Sequence, residues 1–118
     1  EEVLEFQQLV RMVPIADEVA RYAVNLVRGT RPVDVSACED VKKYVNFGAS
    51  VRGAQNLVLA AKARALMRGR YHVSFDDVAA LLRPVMRHRI LLNFQAESDR
   101  LTPDDVLKKI LEVVPAKG

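Results

Sequence analysis

Apolar residues recur three and four positions apart in five stretches of this chain, and proline or glycine separates most of them. That spacing places them on one face of a helix. Residues 2–12 read as a first helix with Val3, Phe6 and Val10 on one side. Pro14 stops it, because a proline inside a helix removes a donor and clashes with the preceding turn. Residues 16–28 form a second helix, with Val19, Tyr22, Ala23, Leu26 and Val27 opposite Arg21, Asn25 and Arg28. Gly29 fits its C-cap. A loop with Arg31-Pro32 follows over 30–37, then a short helix over 38–44. Residues 51–68 are the longest helix and are apolar nearly all the way round: Ala54, Leu57, Val58, Leu59, Ala61, Ala65, Leu66 and Met67. A helix of that kind belongs in the middle of a bundle. Gly69 ends it.

The helix from residue 75 contains Pro84, where a kink or restart is expected. Phe94 to Glu97 reads as one helical turn, and Thr102-Pro103-Asp104-Asp105 as a strong start, with threonine at the N-cap and proline at the first helical position. This last helix runs to about Val114 and is closed by Pro115. Val13–Ile15 and Tyr71–Val73 are short extended pieces, each leading into an acidic helix start, and Leu91-Leu92 is a third. The first two either pair as a small β-ribbon or resemble each other by coincidence. The expected architecture is therefore all-α: a compact bundle of about five helices around a central apolar helix over 51–68, with a tiny ribbon of 13–15 with 71–73.

Composition fits helices packed on helices, since half of the 118 residues are hydrophobic and tryptophan is absent. That length suits one domain over 1–118. No apolar run approaches a membrane span and no signal-peptide pattern opens the chain. Cys38, the lone cysteine, excludes an internal disulfide, so a reducing, cytoplasmic setting is expected. Without an initiator Met, and with Glu1-Glu2-Val3 reading as the first turn of a helix that has lost its cap, the ends look cut or processed.

Charge at the helix starts singles out one place. Asp17-Glu18, Glu39-Asp40, Asp76-Asp77 and Asp104-Asp105 put carboxylates in first turns, where they complement the helix dipole and unpaired N–H groups. Ser74-x-x-Asp77 also has the form of a capping box. The start at Gly48-Ala49-Ser50-Val51-Arg52-Gly53 has no acid. With Ser50 as N-cap, Arg52 falls in the first turn, where a cation is disfavoured. Either an external anion held by backbone N–H groups and Arg52 compensates, or Arg52 is a solvated arginine at a small cost.

The net charge of +3 is concentrated. Lys62, Arg64, Arg68, Arg70, Arg83, Arg87 and Arg89 face only Asp76 and Asp77 over residues 62–89, a local +5. Such a stripe suits nucleic acid, nucleotide phosphates or an acidic partner, or is a solvated face. Arg87-His88-Arg89 either complements a helix end or contacts nucleotide or a neighbouring subunit. No phosphate-binding loop G-x-x-x-x-G-K-[ST] is present, no metal spacing links His72, His88 and Cys38, and no serine sits in a nucleophile elbow. Capping explains the paired acids. A nucleic-acid module built on the stripe is the rival from another class. Against it stand the missing base-stacking aromatics and the lack of a clear helix-turn-helix. A ligand-free interaction bundle is the third reading.

The order Gly48-Ala49-Ser50-Val51-Arg52-Gly53, Met67-Arg68-Gly69-Arg70, Val73-Ser74-x-Asp76-Asp77-Val78, Pro84-Val85-x-Arg87-His88-Arg89-Ile90 and Leu101-Thr102-Pro103-Asp104-Asp105-Val106 resembles the C-terminal helical lid of MoxR-type AAA+ ATPases. The usual form of the first motif there is Gly-Ala-Ser-Pro-Arg-Ala. Val51 replaces its proline and Gly53 its last alanine, while the arginine is kept. The resemblance implies that Arg52 is the sensor 2 residue, acting catalytically in the parent enzyme, and that Gly48, Ala49 and Ser50 join it in nucleotide binding. Arg87 and Arg89 are candidate phosphate or subunit contacts. It also implies a preceding α/β domain with the phosphate loop that binds ATP and Mg²⁺. The chain by itself would then not be an enzyme, whereas its parent would hydrolyse ATP. Further implications are a homo-hexamer, chaperone-like assembly or activation of other proteins, and a von Willebrand A-domain partner.

Overall fold

The computed structural model describes residues 2–34 and 37–114, without the side chains of residues 2–4, 6, 7 and 51. Helices among them are α1 (Glu2–Met12), α2 (Asp17–Gly29), α3 (Glu39–Tyr44), α4 (Val51–Met67), α5 (Phe75–Met86), α6 (Phe94–Ser98) and α7 (Pro103–Val113). Strands β1 (Val45–Phe47) and β2 (Leu91–Leu92) form a two-stranded antiparallel sheet. The class is the expected one. Five helices have eleven residues or more, and the short α3 and α6 raise the total to seven among the described residues. Of the expected apolar face on α1, Val10 is buried, while Val3 and Phe6 lie outside the described side chains, as does Pro115 at the far end.

The core forms where α4 packs on α1, α2 and α5, and α7 packs on α2, α3 and α5. Ala54, Leu57, Ala61 and Ala65 are buried on α4 at three- and four-residue spacing, a face of small residues that lets neighbouring helices approach closely. Val78, Leu82 and Met86 of α5 and Val106, Leu107 and Ile110 of α7 supply the facing bulk. Burying each leucine of this set contributes about 1.5–3 kcal/mol. Tyr22 meets Phe75 edge-on, with ring centroids 5.6 Å apart, and ties α2 to the start of α5. The expectation that α4 is enclosed on all sides is corrected. Leu59 and Met67 are exposed, and Leu59 lines an open groove of about 450 Å³ with Ala20, Val24, Ala54 and Val58.

The ribbon exists but not where the sequence put it. Val45 lies opposite Leu92 and Phe47 opposite Leu91, with an irregularity between them. Residues 13–15 and 71–73 instead share one backbone bond, from the Val73 N–H to the Pro14 carbonyl at 3.2 Å. Pro14 has no N–H to return, so a ladder cannot run through it. Asn93 extends the observed ribbon. Its N–H donates to the Tyr44 carbonyl (2.8 Å) and its side-chain amide to the Lys43 carbonyl (2.7 Å), while its side-chain oxygen accepts the Ala96 N–H (3.0 Å) to cap α6.

Pro84 brings no restart, since α5 continues through it to Met86. One helix end departs from expectation. Gly29 is the last residue of α2 and takes no left-handed conformation. It provides space instead: a Cβ there would touch Ile110 and Val114 of the α7 end at 3.4 and 3.6 Å. Gly69 behaves as read, with φ +74°. Its N–H bonds the Leu66 carbonyl and the Arg70 N–H the Ala65 carbonyl, a Schellman closure of α4 that turns Arg70 back toward α5.

Candidate functional site

Gly48-Ala49-Ser50 carries the chain from β1 into α4, and the end of α2 holds this segment. Thr30, fully buried, is the C-cap of α2. Its hydroxyl donates to the Val27 carbonyl at 2.6 Å and accepts the Ala49 N–H at 2.9 Å. Ala49 is itself buried. Gly48 passes so close that a Cβ would stand 2.4 Å from the Thr30 carbonyl oxygen and 2.7 Å from Arg31 Cα. Glycine is required here for space, not for a special backbone angle.

Beyond that anchor the helix start is bare. Ser50 has the extended backbone of an N-cap, yet its hydroxyl accepts no backbone bond, and the Gly53 N–H goes to the Ser50 carbonyl at 2.8 Å. The first turn has no acid. Arg52 is exposed and, among the described residues, has neither an ion pair nor a side-chain hydrogen bond. Gly53 is buried behind it, where a Cβ would meet Ala49 Cβ at 3.1 Å and Met86 Cε at 3.3 Å. The last turn of α5 thus rests against the first turn of α4. A guanidinium beside unneutralised first-turn N–H groups suits the oxygens of an anion such as a phosphate. ATP phosphates fit that donor set. A metal ion finds no comparable one: among the described residues, no three or more His, Cys, Asp or Glu side chains are grouped to hold it.

The basic stripe resolves into pairs. Asp77, fully buried at the start of α5, receives the Arg64 guanidinium at 2.6 Å and that of Arg70. It also accepts the Ser74 N–H (2.9 Å) and hydroxyl (3.1 Å). Burial alone would raise its carboxyl pKa. The Ser74 N–H, the Arg64 guanidinium, the Ser74 hydroxyl and the Arg70 charge outweigh burial and hold it below the ordinary value. Arg87 pairs with Asp104 at 3.0 Å, joining the end of α5 to the start of α7. The Lys62 ammonium donates to the Arg11 carbonyl at 3.4 Å. Arg68, Arg83 and Arg89 are exposed and form no ion pair among the described residues. Nothing in this arrangement favours the nucleic-acid reading.

Comparison with known proteins agrees with the motif order. Residues 39–110 match the AAA lid domain family, and the chain is 33% identical over 113 residues to the protein named Chaperone MoxR1 of Mycobacterium tuberculosis. This chain is a AAA lid domain of the MoxR family. The match to Chaperone MoxR1 covers 96% of the lid and 30% of that protein. Protein MoxR of Paracoccus denitrificans is 42% identical over 66 residues, covering 54% of the lid and 20% of the relative. The crystal structure of a candidate ATPase from Cytophaga hutchinsonii superposes with a TM-score of 0.84 at 31% identity, over 92% of the lid and 33% of that chain. The lid therefore spans about a third or less of the length of each of these proteins.

Two residues central to this region escaped sequence reading. Thr30 carries no local mark, because a threonine after a helix is ordinary and its partner lies 19 residues away. Asp77 was legible as a capping acid but not as the anchor of two arginines.

Proposed function

We propose that this lid senses nucleotide in a MoxR-type ATPase, with Arg52 as the sensor 2 residue. Its parent would bind ATP and Mg²⁺ mainly on an α/β domain, and ATP would supply the phosphoanhydride that is hydrolysed. Closure of the lid brings the Arg52 guanidinium to the phosphates, with Gly48 and Ser50 beside them, while Ala49, buried and with its N–H given to Thr30, supports the segment rather than touching nucleotide. A preorganised cation near the developing charge of a phosphoryl transfer is worth several kcal/mol. The observation that carries this reading is the exposed Arg52 in the first turn of α4, which has no acid, where the first turns of α2, α3, α5 and α7 carry carboxylates. The parent works as a homo-hexamer that assembles or activates other proteins, a von Willebrand A-domain protein among its partners, in the cytoplasm. No helix among the described residues is long and apolar enough to cross a membrane.

The test is steady-state ATP hydrolysis and nucleotide affinity of the full-length protein with single arginines replaced. Arg52→Ala is expected to lower turnover by about 10- to 100-fold while leaving the fold intact. Arg52→Lys should rescue only in part, since lysine lacks the planar fork for two phosphate oxygens. Arg87→Ala and Arg89→Ala serve as controls, expected to keep most turnover. If either lowers it as much as Arg52→Ala does, that arginine is a phosphate or subunit contact. Wild-type turnover and affinity in Arg52→Ala would end the sensor assignment.

A further inference from the structure

We propose that Thr30 is the positioning residue for Arg52, so that the end of α2 sets where the α4 guanidinium stands. This rests on the sensor reading of Arg52 and adds the element that aims it. Four observations converge on Thr30. It is fully buried, although polar. Its hydroxyl donates to Val27, which fixes its lone pairs toward Ala49, whose N–H it accepts at 2.9 Å. Gly48 lies against the Thr30 backbone with no room for a side chain. Ala49 is three residues before Arg52, at the point where the chain turns into α4.

The side chain of Ser50 does not cap α4, so the hydroxyl of Thr30 takes over its placement from outside the helix. On the other flank, Gly53 rests on Met86, whose flexible end permits sliding. A directed hydrogen bond fixes the segment where that thioether contact does not. Removing the hydroxyl leaves the buried Ala49 N–H without its acceptor, and the segment moves to find water. A shift of about 1 Å in a positioning group costs up to about 100-fold in rate. Rigid joining of α2 to the arginine also means that motion of α2 carries the sensor with it.

The experiment measures kcat and KM for ATP in the full-length parent for wild type, Thr30→Val, Thr30→Ser, Arg52→Ala and the Thr30→Val/Arg52→Ala double variant. Thr30→Val keeps the shape and removes the hydroxyl. It is expected to lower kcat by about 10- to 100-fold with a smaller change in KM. Thr30→Ser restores the hydroxyl and is expected within about threefold of wild type, the size of a lost methyl contact rather than of a displaced sensor. In the Arg52→Ala background, Thr30→Val should cause no further loss, because Thr30 acts through the arginine. A second full drop in the double variant, or wild-type kcat in Thr30→Val while Arg52→Ala is impaired, overturns the role of Thr30 and leaves the sensor reading standing. Wild-type turnover in Arg52→Ala overturns both. If Thr30→Val does not fold, Thr30→Ala takes its place in the same cycle, since it adds no bulk and leaves room for a water on the Ala49 N–H.

Discussion

The starts of α4 and α5 have the same N-cap residue and opposite fates. Ser50 and Ser74 both have extended backbone. At α5 the Ser74 hydroxyl accepts the Asp77 N–H at 3.3 Å, the Asp77 carboxylate accepts the Ser74 N–H, and two arginines complete its shell. At α4 the corresponding position is Gly53, which has no carboxylate to return the bond, and the residue before it is Arg52. One start is satisfied by its own chain and sealed. The other has no side-chain cap: Thr30 holds it through Ala49, and its Gly53 N–H goes only to the Ser50 carbonyl. A single position, aspartate or glycine three residues after the serine, separates a helix start closed by a capping box from one left without a side-chain cap.

The largest expected effect breaks the sealed side. Asp77→Ala should lower unfolding stability by about 3 kcal/mol, because it removes a capping box and the anchor of Arg64 and Arg70. The two guanidiniums stay partly exposed and can turn to water, which keeps the figure below that of a fully buried pair. Denaturant titration checks this, and a loss under about 1 kcal/mol would mean that the arginines add nothing. The same carboxylate sets an acid limit. Its folded pKa is lowered, so its contribution is fully present above the ordinary carboxylate value near about 4 and is lost as pH falls through the lower folded value. Asp105, also lowered mainly by the Thr102 N–H, acts in the same direction. Stability should decline below about pH 4, and Asp77→Asn should flatten that decline.

Serine replacement sharpens the contrast. Ser74→Ala is expected to cost about 1 kcal/mol and Ser50→Ala no more than about 0.3 kcal/mol, since only the first hydroxyl accepts a backbone bond. Equal losses would show that Ser50 caps α4 in solution. The smallest effect has the opposite sign. Arg52→Glu should stabilise the fold by about 0.3–1 kcal/mol by matching the helix dipole, while abolishing ATP turnover in the full-length protein. Destabilisation by this change would mean that Arg52 has a structural partner.

What could be read in the sequence was local. The Ser74 capping box, the Thr102 N-cap, the helix end at Gly69 and the five longer helices each follow from residues within a turn or two of one another. Arg52 was legible for the same reason, as a cation in a first turn where the other starts carry acids. What could not be read depended on distant partners. Arg64 looked like one more cation of a stripe, because Asp77 lies 13 residues away on another helix. Thr30 looked like loop. The ribbon was misplaced since Val13–Ile15 and Tyr71–Val73 share a local pattern, whereas the pairing of 45–47 with 91–92 is set by how α4 and α5 dock. Gly29 looked like a cap because its spatial neighbours, Ile110 and Val114, come from α7.

That ribbon has a consequence for the order of assembly. β1 ends at Phe47, immediately before Gly48, and its partner Leu91 follows all of α4 and α5. Closing a loop of that length is entropically costly until the helices inside it have docked. During synthesis, a chain emerged as far as Met86 can already pair α4 with α5 but has no β2, so the ribbon beside Gly48 closes only after that pair. In the folded protein the same topology makes Val45–Phe47 a unit that can open without unfolding the α4–α5 pair. Hydrogen exchange is expected to show the Asn93 amide, which donates to the Tyr44 carbonyl beside the ribbon, exchanging well before that of Ala61, and equal protection would mean that ribbon and helices open together.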